Sequence, residues 1–182
     1  MNTNWKTLES RVIHATPWLR LRENLVEQPG LPVRKYEVVE FKGGVGVVAI
    51  DDQKRFVLVG QFRYPVGRYS WEIPKGAFPT FDKQKQDALE IVKQELKEET
   101  GVTAARWERL AVVHTLLGST NDEVTLFHAC ELTSGRSEPE PVEDISTRWV
   151  ALRGFWEMVD RQEVTDATSI AAVGMCARGG LL

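Results

Sequence analysis

Apolar positions along the chain follow a helical period in one long stretch and an extended period in most others. Leu89, Val92 and Leu96 recur at i, i+3 and i+7, which puts one apolar face on a helix expected over residues 82–101. Asp82 reads as its N-cap and Gly101 as the left-handed residue that ends it. Residues 45–50 and 55–60 are apolar on both faces and flank the turn Asp51-Asp52-Gln53-Lys54, which predicts a central hairpin. Upstream, residues 11–41 are β-rich and punctuated by Pro17, Pro29-Gly30 and Pro32. They predict two or three antiparallel strands, the last over 33–41. Pro65 should end regular pairing within 61–69. Further strands are expected over 107–116, 123–132 and 147–151, with a polar, acidic surface loop over 134–144. Two short helices over 152–161 and 167–177 close the pattern, the second capped by Asp166 and stopped by Gly179-Gly180. This order predicts an α+β chain whose mixed sheet is covered by helices on both faces, with no linker to divide it.

The last turn of the long helix breaks the pattern. Glu95, Glu98 and Glu99 stand at i, i+3 and i+4, so their carboxylates share one side. Each like-charge pair there costs roughly 0.2–0.5 kcal/mol in an isolated helix. The helix dipole also disfavours anions at a C-terminus. A solvated charged face would accommodate the cluster, and so would a bound cation. Carboxylates with no His or Cys nearby select a hard divalent ion, Mg²⁺ or Mn²⁺, whose shell is often completed by phosphate oxygens. That chemistry suits hydrolysis of a pyrophosphate without naming a substrate.

Composition narrows the classes. A net charge of −3 lacks the basic footprint of a nucleic-acid binder. No apolar run approaches the ~18 residues of a membrane span, and the polar start Met1-Asn2-Thr3-Asn4 is no signal peptide. Cys130 and Cys176 stand isolated, as reduced thiols of a cytoplasmic protein would. His14, His114 and His128 share no common spacing, and Ser119 and Thr120 have no His partner pattern for nucleophilic catalysis.

Trp71-Glu72-Ile73-Pro74-Lys75-Gly76, followed after a link by Glu95-Leu96-Lys97-Glu98-Glu99-Thr100-Gly101-Val102, resembles the Nudix box, G-x5-E-x7-R-E-U-x-E-E-x-G-U with U aliphatic. Gln61-Phe62-Arg63-Tyr64-Pro65-Val66-Gly67-Arg68 upstream is similar to the ADP-ribose pyrophosphatase branch of the Nudix hydrolases. The likeness extends over residues 11–172, with sharp motifs only in 61–102. It implies the Nudix fold with extra N-terminal antiparallel strands: one domain over 1–182, with strands in 1–42 that join a homodimer and a catalytic core in 43–182.

The resemblance also implies roles. Glu95 and Glu99 would be the principal metal ligands, joined by Glu98, the backbone carbonyl of Lys75 and Glu143. Arg63 would contact the substrate diphosphate, as a planar guanidinium suits. Glu72, Ala77, Gly118 and Glu123 would line the substrate pocket. Glu140 would be the base for water in an acidic loop, with Glu143 and Glu98 beside it in the catalytic set. The implied activity is Mg²⁺-dependent cleavage of ADP-ribose or a related nucleoside diphosphate sugar. Alternatives are another nucleoside diphosphate derivative, such as a GDP-sugar, and a catalytically silent nucleotide sensor.

The chain departs from the family pattern at several positions. Gln94 and Gln86 hold the places of the box arginine and the earlier glutamate, and the link from Gly76 is four residues longer. Leu117 stands where the branch has proline. The two glutamines are expected to hydrogen-bond each other as a compensated pair. Gln94→Arg alone should then lower stability or activity, and Gln86→Glu should restore it.

Overall fold

Alternate residues of one strand face opposite cores, and that alternation sets the layers of the fold. In the computed structural model, which describes residues 4–137 and 144–182, β4 (Gly44–Ala49) is buried throughout. Val45, Val47 and Ala49 join the cluster under α1 (Ala88–Thr100), which supplies Val92 and Leu96. Val48 and Ile50 join the cluster under α2 (Leu152–Asp160) and α3 (Ala167–Arg178), with Phe155, Met158, Val173 and Cys176. Phe56 and Leu58 of β5 (Arg55–Arg63) turn to the second cluster and Val57 to the first. A strand buried on both faces needs apolar side chains at successive positions, as these two have. The result is a β layer between helices, the expected α–β–α arrangement.

Among the described residues the strands form three sheets. In order along their sheet, β7 (Lys75–Ala77), β4, β9 (Glu123–Ser134) and β8 (Val102–His114) run side by side, with β4 and β9 parallel. β10 (Ser146–Ala151), β5 and β6 (Arg68–Glu72) form the second sheet. β1 (Lys6–Ala15), β2 (Leu19–Glu27) and β3 (Arg34–Phe41) make a separate antiparallel sheet, the expected N-terminal strands.

Several local expectations are corrected. The turn at 51–54 exists, with Asp51 Oδ1 accepting from the Gln53 and Arg55 amides, but the strands beside it diverge. A single bridge, Ile50 to Phe56, joins them. Both edges of β4 are taken by β7 and β9, so β5 pairs elsewhere. The long helix begins at Ala88, because the Asp87 carboxylate accepts from the Leu89 and Glu90 amides at 3.1 and 3.2 Å. Asp82 caps nothing with its side chain; it starts a short 3₁₀ turn, Lys83–Lys85. Gly101 does end the helix, at φ 72°, and turns the chain at once into β8, which starts five residues before the expected 107. β6 and β7 were not expected as strands.

Candidate active site

The site begins at the ends of β5 and β6. Arg63 and Glu72 close those two strands, and their side chains meet in a parallel pair, Nε to Oε1 at 2.9 Å and Nη2 to Oε2 at 2.7 Å. Lys75, the first residue of β7, places its ammonium 2.9 Å from Glu72 Oε2 and 2.8 Å from Asp166 Oδ2. Burial works to raise the Glu72 carboxyl, yet the Arg63 hydrogen bonds and the Lys75 charge hold it at about 2. Glu72 in turn raises the Arg63 guanidinium against the opposing effect of burial. Arg63 therefore stays charged and aimed, with its Nη1 edge used by no hydrogen bond among the described residues.

A second set of bonds fixes the segment between β6 and β7. Asp166, the cap of α3, accepts from Ser169 N at 2.9 Å and from Ser169 Oγ at 2.6 Å. The same hydroxyl accepts from the Ile73 amide at 2.9 Å. The Pro74 carbonyl accepts from the Val47 amide at 3.0 Å. Ile73 and Ser169 are fully buried, so these bonds are shielded from water. Arg63, Glu72, Lys75 and the start of α3 line a cleft of about 500 Å³.

The carboxylates of α1 come to this segment from below. Glu99 follows Leu96 by three residues, so it continues the buried stripe of Val92 and Leu96 and is itself 6% exposed. Its Oε2 accepts from the Lys75 amide at 3.2 Å. Glu95 lies against Gly76, where an added Cβ would overlap its carboxylate, so the carboxylate keeps this place only beside a glycine. Two carboxylates at one backbone turn, with oxygen donors alone, fit a hard divalent ion. Glu98 Oε1 accepts from Gln94 Nε2 at 2.9 Å. Among the described residues no three His, Cys, Asp or Glu side chains gather as a metal group. Glu140 and Glu143 lie outside the described residues.

The remaining expected residues spread along the sheet. Ala77 ends β7, exposed, opposite Gly44. Glu123 begins β9, 3.8 Å from Lys83 Nζ and 3.9 Å from His114 Nε2. Gly118 sits in the loop before β9, its carbonyl accepting from the Tyr36 hydroxyl at 2.8 Å. β3 anchors that loop further, through the Val39 amide to Ser119 O at 2.9 Å and the Phe41 amide to Asn121 Oδ1 at 2.9 Å. Gln86 and Gln94 do not meet, correcting the expected pair. Gln86 Nε2 donates to Thr80 Oγ1 and to the Asp82 carbonyl, within its own link. Asp166 was legible only as a helix cap, and nothing in the sequence marked Ser169.

Glu95 and Glu99 thus meet the Lys75–Gly76 turn, and Glu72 holds Arg63 at the ends of β5 and β6. Residues 40–172 match the family model described as NUDIX domain, and residues 5–39 match that of the nucleoside diphosphate sugar hydrolase N-terminal domain. The chain belongs to the Nudix family and is related to ADP-ribose pyrophosphatases. It is 31% identical over 172 residues to an ADP-ribose pyrophosphatase of Mycobacterium tuberculosis, covering 93% of this chain and 82% of that one. It is 31% identical over 170 residues to an ADP-ribose pyrophosphatase of Bacillus subtilis, covering 92% and 90%. Its fold matches a crystal structure of an ADP compounds hydrolase with a TM-score of 0.81 at 17% identity, over 96% of this chain and 92% of that one.

Proposed function

We propose that this Nudix hydrolase is Mg²⁺-dependent and cleaves the diphosphate of ADP-ribose or a related nucleoside diphosphate sugar, releasing a nucleoside monophosphate and a sugar phosphate. The observation that carries the reading is the buried Glu99 carboxylate under the Lys75 amide, with Glu95 packed on Gly76 and Arg63 fixed by Glu72 on the same segment. Glu95, Glu99 and the Lys75 carbonyl would hold the ion, with Glu98 and Glu143 beside them; Mn²⁺ suits the same oxygen donors. A bound divalent ion supplies charge neutralisation at the diphosphate and a more acidic water.

The chain's own residues do the rest. Arg63 presents its Nη1 edge to the diphosphate, pre-oriented by a carboxylate that stays ionised across the working pH range. Lys75, held between Glu72 and Asp166, keeps its ammonium away from the α1 carboxylates while its backbone positions Glu99. Ala77, Gly118 and Glu123 line the path of the sugar, and Glu140 takes the proton of the attacking water. The likeness to two ADP-ribose pyrophosphatases supports this substrate class.

The reading extends to organisation. Residues 1–182 form one domain, in which strands in 1–42 associate with a second copy and 43–182 carry the chemistry. Supporting the homodimer, β1 is exposed along its whole length and presents Leu8, Val12 and Ile13, with Trp5 and Trp18 exposed nearby. Cytoplasmic placement, with no nucleic-acid or membrane partner, accords with the charge of −3 and two free cysteines. None of the described helices is long and apolar enough to cross a membrane.

The test is incubation with Mg²⁺ and a panel of ADP-, GDP- and UDP-linked sugars, with release of the nucleoside monophosphate as the readout. Turnover of one class that Glu99→Gln abolishes is the expected result. Saturable binding without turnover of any member would replace the hydrolase reading with a nucleotide sensor. A Glu99→Gln protein as fast as the parent would remove the metal assignment.

A further inference from the structure

Arg63 and Glu72 belong to one hairpin but do not face each other across it. The register of β5 and β6 runs unbroken from Val59 opposite Glu72, through Gln61 opposite Ser70, to Arg63 opposite Arg68. Opposed residues and every second residue share a face, so Arg63, Ser70 and Glu72 lie on one side of the hairpin. Ser70 is the diagonal neighbour of Arg63, and Glu72 lies two residues beyond it. To make its parallel pair with Glu72 at 2.9 and 2.7 Å, the arginine side chain must therefore run along β6 past Ser70. A small residue at this position leaves room for that run, and Ser70 is only 4% exposed.

A hydroxyl so buried ordinarily has a hydrogen-bond partner. That of Ser70 has none among the described residues. Arg63 gives its Nε and Nη2 to Glu72, and Lys75 is held by Glu72 and Asp166. No fully enclosed side-chain nitrogen or oxygen among the described residues lacks a partner, so the Ser70 oxygen is not sealed beneath its neighbours. It opens to the cleft of about 500 Å³ that it lines with Arg63, Glu72 and Lys75.

The neighbouring charges decide what this hydroxyl offers. A hydroxyl rotates to suit its surroundings, and its dipole turns in the local field. Beside the guanidinium its lone pairs turn to the cation and its hydrogen turns away. Ser70 is thus a donor, next to the Nη1 edge of Arg63, which is likewise uncommitted among the described residues. The carboxylates of Glu72 and Asp166 are already engaged by Arg63 and Lys75. Two open donors side by side call for a group rich in acceptors. Diagonal neighbours stand about 7–8 Å apart, a gap that one phosphate and two hydrogen bonds span.

We propose that Ser70 is a substrate-binding residue, its hydroxyl donating to a non-bridging oxygen of the diphosphate beside the one taken by Arg63 Nη1. The assignment rests on the hydrolase reading above.

Ser70→Ala removes the hydroxyl and no bond that the free protein makes. With the full chain, Mg²⁺ and the sugar nucleotide that the parent turns over fastest, kcat/KM should fall about tenfold, the size of one hydrogen bond to a charged acceptor. Inhibition by pyrophosphate with Mg²⁺ should weaken by a like factor, because that ligand has phosphate oxygens and no sugar. The urea midpoint should meanwhile equal or exceed the parent's, since a buried hydroxyl without a partner does not stabilise the fold. Ser70→Cys, close in size and a weak donor, supplies the same comparison if Ser70→Ala does not fold. An unchanged kcat/KM overturns the assignment. So does a midpoint lowered together with activity, which would give the hydroxyl to the fold. A loss with the sugar nucleotide that spares pyrophosphate also overturns it, by giving the hydroxyl to the sugar. If the parent hydrolyses no sugar nucleotide, the hydrolase reading fails, and calorimetry of ADP with Mg²⁺ decides the role of Ser70. Binding about tenfold weaker in Ser70→Ala keeps it as a diphosphate ligand. Equal binding, or none to the parent, overturns it.

Discussion

Glu72 grips Arg63 side-on, at 2.9 and 2.7 Å, while the same carboxylate takes the Lys75 ammonium at 2.9 Å. With Asp166 on the other side of Lys75, two cations and two carboxylates balance beside the cleft, and the paired contact fixes the guanidinium plane before a ligand arrives. Glu72→Gln keeps the shape but removes the charge that holds both. It should lower kcat/KM on the order of 100-fold. It should also cost about 2 kcal/mol in urea unfolding, short of a fully buried pair because Arg63 is partly exposed. A variant as active as the parent would remove Glu72 from the machinery.

Acid should expose the same pair. The Glu72 carboxyl sits at about 2 instead of its ordinary 4.5. A depressed folded-state value means that the unfolded chain takes up the proton first. The stability is therefore fully present above about pH 4.5 and lost as pH falls from there through about 2. Linkage puts the amount at about 3 kcal/mol. Unfolding free energies of the metal-free protein across that window should fall more steeply for the parent than for Glu72→Gln.

Gly76→Ala should unseat Glu95, since the new methyl group would occupy the space of its carboxylate. Mn²⁺ affinity, followed by the paramagnetic resonance of the free ion, should weaken on the order of tenfold or more, as when a ligand loses its orientation. Unaltered affinity would mean that Glu95 does not hold the ion.

Ser169→Ala removes the acceptor of the buried Ile73 amide and a donor to Asp166. An orphaned buried amide costs about 1–3 kcal/mol. The segment it releases carries Lys75, so kcat should fall more than KM rises. Faster hydrogen exchange at Ile73 and Lys75 would locate the effect, and undisturbed exchange there would contradict it.

The two glutamines should behave independently. Gln94 bonds to Glu98 and Gln86 to Thr80 and Asp82, with no bond between them. Gln94→Arg and Gln86→Glu should then add to within about 0.5 kcal/mol in a double-mutant cycle of stability. Recovery of one change by the other would restore the compensated pair expected from sequence.

Periodicity marked where β4 and β5 lie but not what they pair with. Each strand is apolar on both faces, which signals a central position, whereas the partners β9 and β10 come from distant chain and are chosen by packing. The sequence reading puts the cap at Asp82. The structure prefers Asp87 because its carboxylate reaches two open amides, while that of Asp82 pairs with Lys85. The acidic turn of α1 was legible as an anomaly, and the burial of Glu99 followed from the stripe of Val92 and Leu96 one step further on. The Asp166–Ser169–Ile73 bonds had no such signal, since a serine in a helix is ordinary and its partner lies 96 residues away.

β3 touches the loop before β9 through Tyr36, Val39 and Phe41. The first sheet is thus the mould in which residues 116–122 keep their shape, and not a separable attachment. A chain started at residue 43 would keep its metal-side carboxylates and lose the register of Gly118 and Asn121. It should therefore still bind the ion while losing its grip on the sugar. Anything that tilts this sheet, including association through the exposed face of β1, would be read out as a change in KM.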